Sequence, residues 1–288
     1  MSIADAAVSS LKLRPLPGGL GVEILDPPVA AVDDANFPAI FDAFLAHQLL
    51  VFRGHEVTAA AQVAFARRFG EVQVHVMNQY HANAYPELYT LSNLDAEGRP
   101  TGKHPDRGTL VWHTDGSWQR VTGQATMLYA ERIPEGSGGT SFADMYSAYE
   151  ALDPEEQAHL AGVRAIHSLD FSRTRRHGEE PMTEAQRSAV PPVDHPIVRT
   201  HPETGRKCIF LGDHAERILG WDYETGRAFI EDLNARAVRL ARIYTHRSRS
   251  GDFIVWDNRC LMHKAEGYDT ATEPRVIRRC TVLGEEPR

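Results

Sequence analysis

The sequence predicts a mainly β domain with helical decoration, of the α+β class, built around a closed or sandwiched β core. Three observations lead there. Short apolar runs separated by turn residues recur along the chain, helical spacing is grouped mainly at the start and in insertions, and neither a βαβ alternation nor a glycine-rich phosphate loop is present. With 288 residues, 42% of them hydrophobic, the chain can bury a sizeable core as one domain.

Residues 36–48 carry Phe37, Ile40, Phe41, Phe44 and Leu45 at helical spacing, and the apolar run Leu49-Leu50-Val51-Phe52 then reads as a buried strand ending at Arg53-Gly54. Thr58 is suited to cap a second helix over 59–69, whose Val63, Phe65, Ala66 and Phe69 form a core stripe and whose stop is Gly70. Residues 73–109 turn polar around one strand candidate, 88–92, and read as a lid-like segment. Further strands are expected at 110–113, 125–133, 163–168, 197–200, 207–211, 243–247, 252–256 and 276–283. Helices are expected at 147–152, 154–161, 183–189 and 223–237, so 144–190 forms a helical insertion within the single domain 1–288.

The net charge of −8 argues against a general nucleic-acid binder, though not against a local basic pocket for a small anion. Cys208, Cys260 and Cys280 are odd in number and lack Cys-x-x-Cys spacing, which disfavours a disulfide framework and a thiolate zinc site and fits a reducing cytoplasm. No run has signal-peptide or membrane-spanning character, so a cytoplasmic protein with no membrane partner is expected, and a homo-oligomer is expected as well.

The strongest chemical signal is Trp112-His113-Thr114-Asp115-Gly116, matched downstream by Val255-Trp256-Asp257-Asn258-Arg259-Cys260-Leu261-Met262-His263. On an extended chain His-x-Asp puts both side chains on one face, and a distal His263 completes two His and a carboxylate with open positions opposite, the facial arrangement of non-heme Fe(II) oxygenases. Spacing alone decides little among 14 His, since His104/Asp106, His177/Glu179, His201/Glu203 and His214/Glu216 share it. Only His113 ends an apolar run, Leu110-Val111-Trp112, whereas the others fall in turn-like or helical stretches where a solvated His is expected.

Near the C-terminus Arg275, Ile277 and Arg279 share one strand face. At about 3.3 Å per residue the two arginines lie roughly 13 Å apart, which suits two separate anions, each held through paired guanidinium hydrogen bonds. Arg278 points to the other face and is expected at the surface.

With these residues in hand, the chain resembles the Fe(II)/2-oxoglutarate-dependent taurine and 2,4-dichlorophenoxyacetate dioxygenase family (TauD/TfdA), over nearly its full length. The likeness extends to Leu50-Val51-Phe52-Arg53-Gly54, to Ala64-Phe65-Ala66-Arg67-Arg68-Phe69-Gly70, to Phe142-Ala143-Asp144-Met145 and to Trp256-Asp257-Asn258-Arg259, and it is closest to the phenoxyacetate branch. The resemblance implies a double-stranded β-helix, or jelly roll, of the clavaminate-synthase-like kind. It implies Fe(II) on His113, Asp115 and His263, with 2-oxoglutarate and O2 as cosubstrates and Thr140, Trp256 and Arg275 around 2-oxoglutarate. Thr140 follows Gly138-Gly139 where the family pattern has Asp before Thr, so the matching residue can shift by one.

The implied reaction is hydroxylation of a small organic anion with release of succinate and CO2, the substrate being a carboxylate such as an aryloxyalkanoate, or a sulfonate or sulfate. Arg279 would face its anionic group, with His75, Asn78, Tyr80 and the backbone N–H of Gly116 as further contacts. The basic run Arg173, Arg175, Arg176 and His177 is expected to be a solvated loop at the entrance. Two rivals stay open at this point: a zinc hydrolase, and a jelly-roll binding protein that keeps the metal without chemistry.

Overall fold

The computed structural model describes residues 11–77, 81–82 and 84–288. In chain order the elements are β1 (Lys12–Pro15), β2 (Val22–Asp26), α1 (Phe37–His47), β3 (Leu49–Phe52), α2 (Ala59–Phe69), β4 (His81–Ala82), β5 (Tyr85–Ser92), β6 (Gly123–Arg132) and β7 (Thr140–Asp144). They continue with α3 (Met145–Glu150), α4 (Pro154–Leu160), β8 (Arg164–His167), α5 (Glu184–Ala189), β9 (Val193–Pro196), β10 (Val198–Thr200), β11 (Lys207–Ile209) and β12 (Ala215–Ile218). Last come α6 (Tyr223–Leu240), β13 (Ile243–His246), β14 (Phe253–Asp257), β15 (Leu261–Ala265) and β16 (Val276–Leu283). Among the described residues no helix is long and apolar enough to cross a membrane.

One eight-stranded sheet, ordered β1-β2-β3-β14-β6-β16-β5-β4, packs against a three-stranded sheet, β13-β7-β15, to give the expected jelly roll. Strand periodicity explains how the large sheet serves two cores. Leu50, Phe52, Phe253, Val255, Cys280 and Val282 face outward onto Ile40 and Phe44 of α1 and Val63, Phe65 and Phe69 of α2. Their neighbours Leu49, Val51, Ile254, Trp256 and Ile277 face inward with Phe142, Leu261 and Met262 of the small sheet. The inward face carries the site, and the helices close the other.

Local signals place several elements where the sequence puts them. The Thr58 side chain accepts from Ala61 N–H at 3.1 Å and starts α2, which ends at Gly70. Thr183 and Gln186 form a reciprocal capping box on α5. All three cysteines are buried and free.

Two expectations need correction. Residues 110–113 do not form a strand: Arg107–Leu110 is a 3-10 turn capped by Asp106, and His113 makes a single antiparallel bridge to His263. The helix expected at 147–152 begins earlier, at Met145, because the Asp144 carboxylate accepts from the N–H groups of Tyr146 and Ser147.

Candidate metal centre and its two cavities

His113 and His263 exchange backbone hydrogen bonds, His113 N–H to His263 O at 3.0 Å and His263 N–H to His113 O at 2.9 Å. That bridge joins residues 150 positions apart in sequence and brings their rings to 4.1 Å between centroids. Asp115 sits in the turn after His113, where Gly116 takes φ +72°, and a Cβ at Gly116 would meet the backbone N of Gly123 at 2.7 Å. The turn returns the Asp115 carboxylate to the histidines, with Oδ1 3.7 Å from His113 Nε2 and Oδ2 3.6 Å from His263 Nε2. All three potential ligand atoms lie within 4.8 Å of one another, and all three residues are buried.

The polar environment suits a metal. His113 Nδ1 is 2.8 Å from Val111 O, so Nδ1–H donates there and the Nε2 lone pair is left toward Asp115. Burial, with the adjacent His113, holds His263 well below the usual histidine range, so it is the neutral imidazole that ligation requires. For Asp115 burial alone would raise the pKa. Arg279, His263 and His113 outweigh it and hold the carboxyl well below the usual range.

Hydrogen bonds orient that carboxylate from both sides. Thr126 Oγ1 donates to Oδ2 at 2.8 Å and accepts from Asn258 Nδ2 at 2.8 Å, while Asn258 Oδ1 accepts from the Trp256 indole at 2.8 Å. Arg279 Nη1 donates to Oδ1 at 3.1 Å. The Thr126 and Asn258 contacts are absent from the sequence reading, because no local pattern links residues 132 positions apart. Trp256 is adjusted by them: its N–H is committed to Asn258, and its ring packs 4.5 Å from that of His263.

Two cavities adjoin the triad. The smaller is lined by Thr140, Trp256, His263, Arg275 and Arg279 among others, so the three residues expected around 2-oxoglutarate converge on it. Arg275 is buried, donates through Nε to Gly138 O at 3.0 Å and lies over the Tyr268 ring. Burial lowers its pKa to about 10, and among the described residues it makes no ion pair. A desolvated guanidinium without a counter-charge is costly unless an anion joins it.

The larger cavity lies on the His113 and Asp115 side and is lined by His75, Gly116, Trp118, Arg173, His214 and Arg279, among others. His75 accepts from Met77 N–H at 3.1 Å and touches the rings of Tyr89 and Trp118; burial and then Arg279 push its pKa down to about 3. Arg279 also lies over the Tyr89 ring at 4.7 Å. Asn78 and Tyr80 lie outside the described residues. Arg278 does face away, pairing with Glu131 at 3.0 Å.

Four side chains expected in solvent are not there. His177, with 12% of its side chain exposed, lies 2.8 Å from Asp213 and lines the larger cavity. His201 is 1% exposed and contacts Asp257 at 3.0 Å, because the hairpin β10-β11 folds its turn onto the core. His214 forms cavity wall, 3.1 Å from Ser117 Oγ. Arg173 is 8% exposed on a π-helical turn, Phe171–Arg176, that turns one arginine of the basic run inward. Arg175 and Arg176 remain outside as expected.

A family model, "Taurine catabolism dioxygenase TauD, TfdA family", matches residues 12–281. The chain belongs to the TauD/TfdA dioxygenase family. It is 36% identical over 245 residues to the α-ketoglutarate-dependent 2,4-dichlorophenoxyacetate dioxygenase of Cupriavidus pinatubonensis, covering 82% of this chain and 85% of that one. It is 32% identical over 283 residues to an (S)-phenoxypropionate/α-ketoglutarate dioxygenase of Delftia acidovorans, covering 93% and 94%. Its structure superposes on AAD-2, solved in complex with Mn(II) and N-oxalylglycine, with a TM-score of 0.83, 31% identity and coverage of 96% and 98%. As a TauD/TfdA member the chain is a 2-oxoglutarate-dependent dioxygenase, and the zinc-hydrolase and inert-binder readings are set aside.

Proposed function

We propose that this TauD/TfdA dioxygenase binds Fe(II) through His113, Asp115 and His263 and hydroxylates a small organic anion, an aryloxyalkanoate being the first candidate. The observation that carries the reading is the pairing of the buried triad with Arg275, a buried cation with no ion pair among the described residues, in the adjoining cavity.

In this reading Arg275 and Thr140 receive the far carboxylate of 2-oxoglutarate, and Trp256 packs against His263 and sets the width of that cavity. Fe(II) held by His113, Asp115 and His263 would supply the site at which O2, the oxidant, is activated, one oxygen atom going to 2-oxoglutarate as it becomes succinate and CO2 and the other to the substrate. The chain's own contribution is placement: Thr126 and Arg279 fix Asp115, and Val111 O fixes the tautomer of His113. The substrate enters the larger cavity, where His75, Gly116 and the remaining N–H groups of Arg279 are the contacts, with Asn78 and Tyr80 as candidates nearby in sequence. Of the segment 73–109, expected to be lid-like, His75, Asp106 and Thr109 line the wall from either side of β4 and β5, and those flanking stretches rather than the sheet strands would cover the cavity. Hydroxylation next to an ether oxygen gives a hemiacetal that expels the phenol.

The relatives named for 2,4-dichlorophenoxyacetate and (S)-phenoxypropionate support that substrate class. Succinate release is to be screened with aryloxyalkanoates, alkylsulfonates and sulfate esters. Stimulation by an aryloxyalkanoate supports the assignment, and stimulation by none of the three classes refutes the small-anion reading.

A further inference from the structure

The basic turn beside the larger cavity contains one arginine that makes no ion pair among the described residues. Arg175 pairs with Glu216 at 2.8 Å, and Arg176 pairs with Asp213 at 2.9 Å. Arg173, between them and the core, makes no ion pair and no side-chain hydrogen bond among the described residues, and its Nε is buried without a partner. Only 8% of the residue is exposed.

The surroundings hold it there. Asp213 accepts from Ser172 Oγ and lies 2.8 Å from His177 Nε2, which pins both ends of the turn to the 211–214 loop. Phe171 and Ser172 are buried beside Arg173, which itself lines the cavity. Two carboxylates besides Asp115 line the same cavity, and neither forms an ion pair with Arg173: Asp106 accepts from Gly108 N–H at 3.0 Å and Glu179 from Arg107 N–H at 3.2 Å. A cation desolvated to this degree is stabilised most by an anion that enters the cavity. Arg279, the other cation in that wall, already shares its charge with Asp115.

We propose that Arg173 is a substrate-anchoring residue, its guanidinium taking the anionic group, carboxylate or sulfate, of the small organic acid bound in the larger cavity. The inference rests on the function proposed above and adds a cation that the triad and the two strand arginines do not include. Paired N–H donors would fix the anion's orientation as well as its charge.

The test uses the full-length protein loaded anaerobically with Fe(II) and 2-oxoglutarate, reading the change in the visible absorption of that complex as a probe is added. The probes are 2,4-dichlorophenoxyacetate with its primary amide, and octyl sulfate with octanol. Arg173→Met is expected to weaken the responding anion roughly 30-fold, the loss of a charged hydrogen-bond donor, and its uncharged counterpart less than about threefold. Arg173→Lys recovers most of the loss, and both variants keep the Fe(II)/2-oxoglutarate absorption band. Equal losses for anion and neutral probe, unchanged anion binding, or no wild-type response to either anion overturns the proposal. A wild-type protein that gives no Fe(II)/2-oxoglutarate absorption fails a different claim, the functional reading itself.

Discussion

Arg279 Nη1 lies 3.1 Å from Asp115 Oδ1, so the arginine that faces the larger cavity also buttresses the metal-site carboxylate. A role confined to substrate would leave metal binding untouched when it is removed. The contact predicts otherwise: Arg279→Met should weaken Fe(II) about 10- to 100-fold, the usual cost of losing a group that orients a ligand. Titration of Fe(II) without substrate checks this, and wild-type affinity in the variant would confine Arg279 to the substrate.

Thr126 is predicted to act on the metal through its hydrogen bond to Asp115. Thr126→Val removes the donor to Oδ2 and leaves Asn258 Nδ2 without its acceptor. Metal affinity should fall about 10-fold or more, and stability by about 1–3 kcal/mol, with Thr126→Ser restoring both. Metal titration and urea unfolding read the two effects, and a valine variant with unchanged affinity would contradict the relay.

Arg275→Met should raise the 2-oxoglutarate concentration needed for half-maximal succinate release by about tenfold or more, the worth of a charged hydrogen bond. Because the guanidinium is buried without an ion pair among the described residues, the ligand-free variant should be no less stable than the wild type. An unchanged 2-oxoglutarate requirement would move the cosubstrate elsewhere.

Acid should destabilise the fold through histidines remote from the triad. Burial pushes His195 down to about 4, and burial together with His195 holds His167 well below its ordinary value. Both stay neutral in the folded chain below pH 6.5 while the unfolded chain takes up protons. Stability therefore falls as pH drops from about 6.5 toward 4, with each group adding up to about 1.4 kcal/mol per pH unit, and neither contributes above that window.

Among the described residues both buried ring nitrogens of His167 lack partners, and the ring stacks on Phe210. His167→Phe should therefore be tolerated at pH 7 and should flatten the acid limb of the urea-unfolding profile. A profile superimposable on the wild type would contradict the assignment.

The large-sheet strands and the capped helices were legible because their signals are local: Thr58 before an apolar stripe and Gly70 after it, or Arg275 to Thr281 alternating faces. β7 and β15 gave no such signal, since Thr140–Asp144 is buried on both faces and shows no alternation. Yet these strands carry Thr140 and His263. The triad itself was legible from motif, although a bridge and a glycine turn, rather than a strand, put His113 and Asp115 together. Arg173 looked like its exposed neighbours because a charge run says nothing about which side of a turn each residue takes.

We propose that His113, Asp115 and His263 hold Fe(II) beside a 2-oxoglutarate pocket built on Arg275. Anaerobic addition of Fe(II) and then 2-oxoglutarate tests it most directly. The predicted result is a weak visible charge-transfer band, present in the wild type, absent in His263→Ala and shifted by the anionic substrate. No band in the wild type, with zinc retained tightly instead, would contradict it.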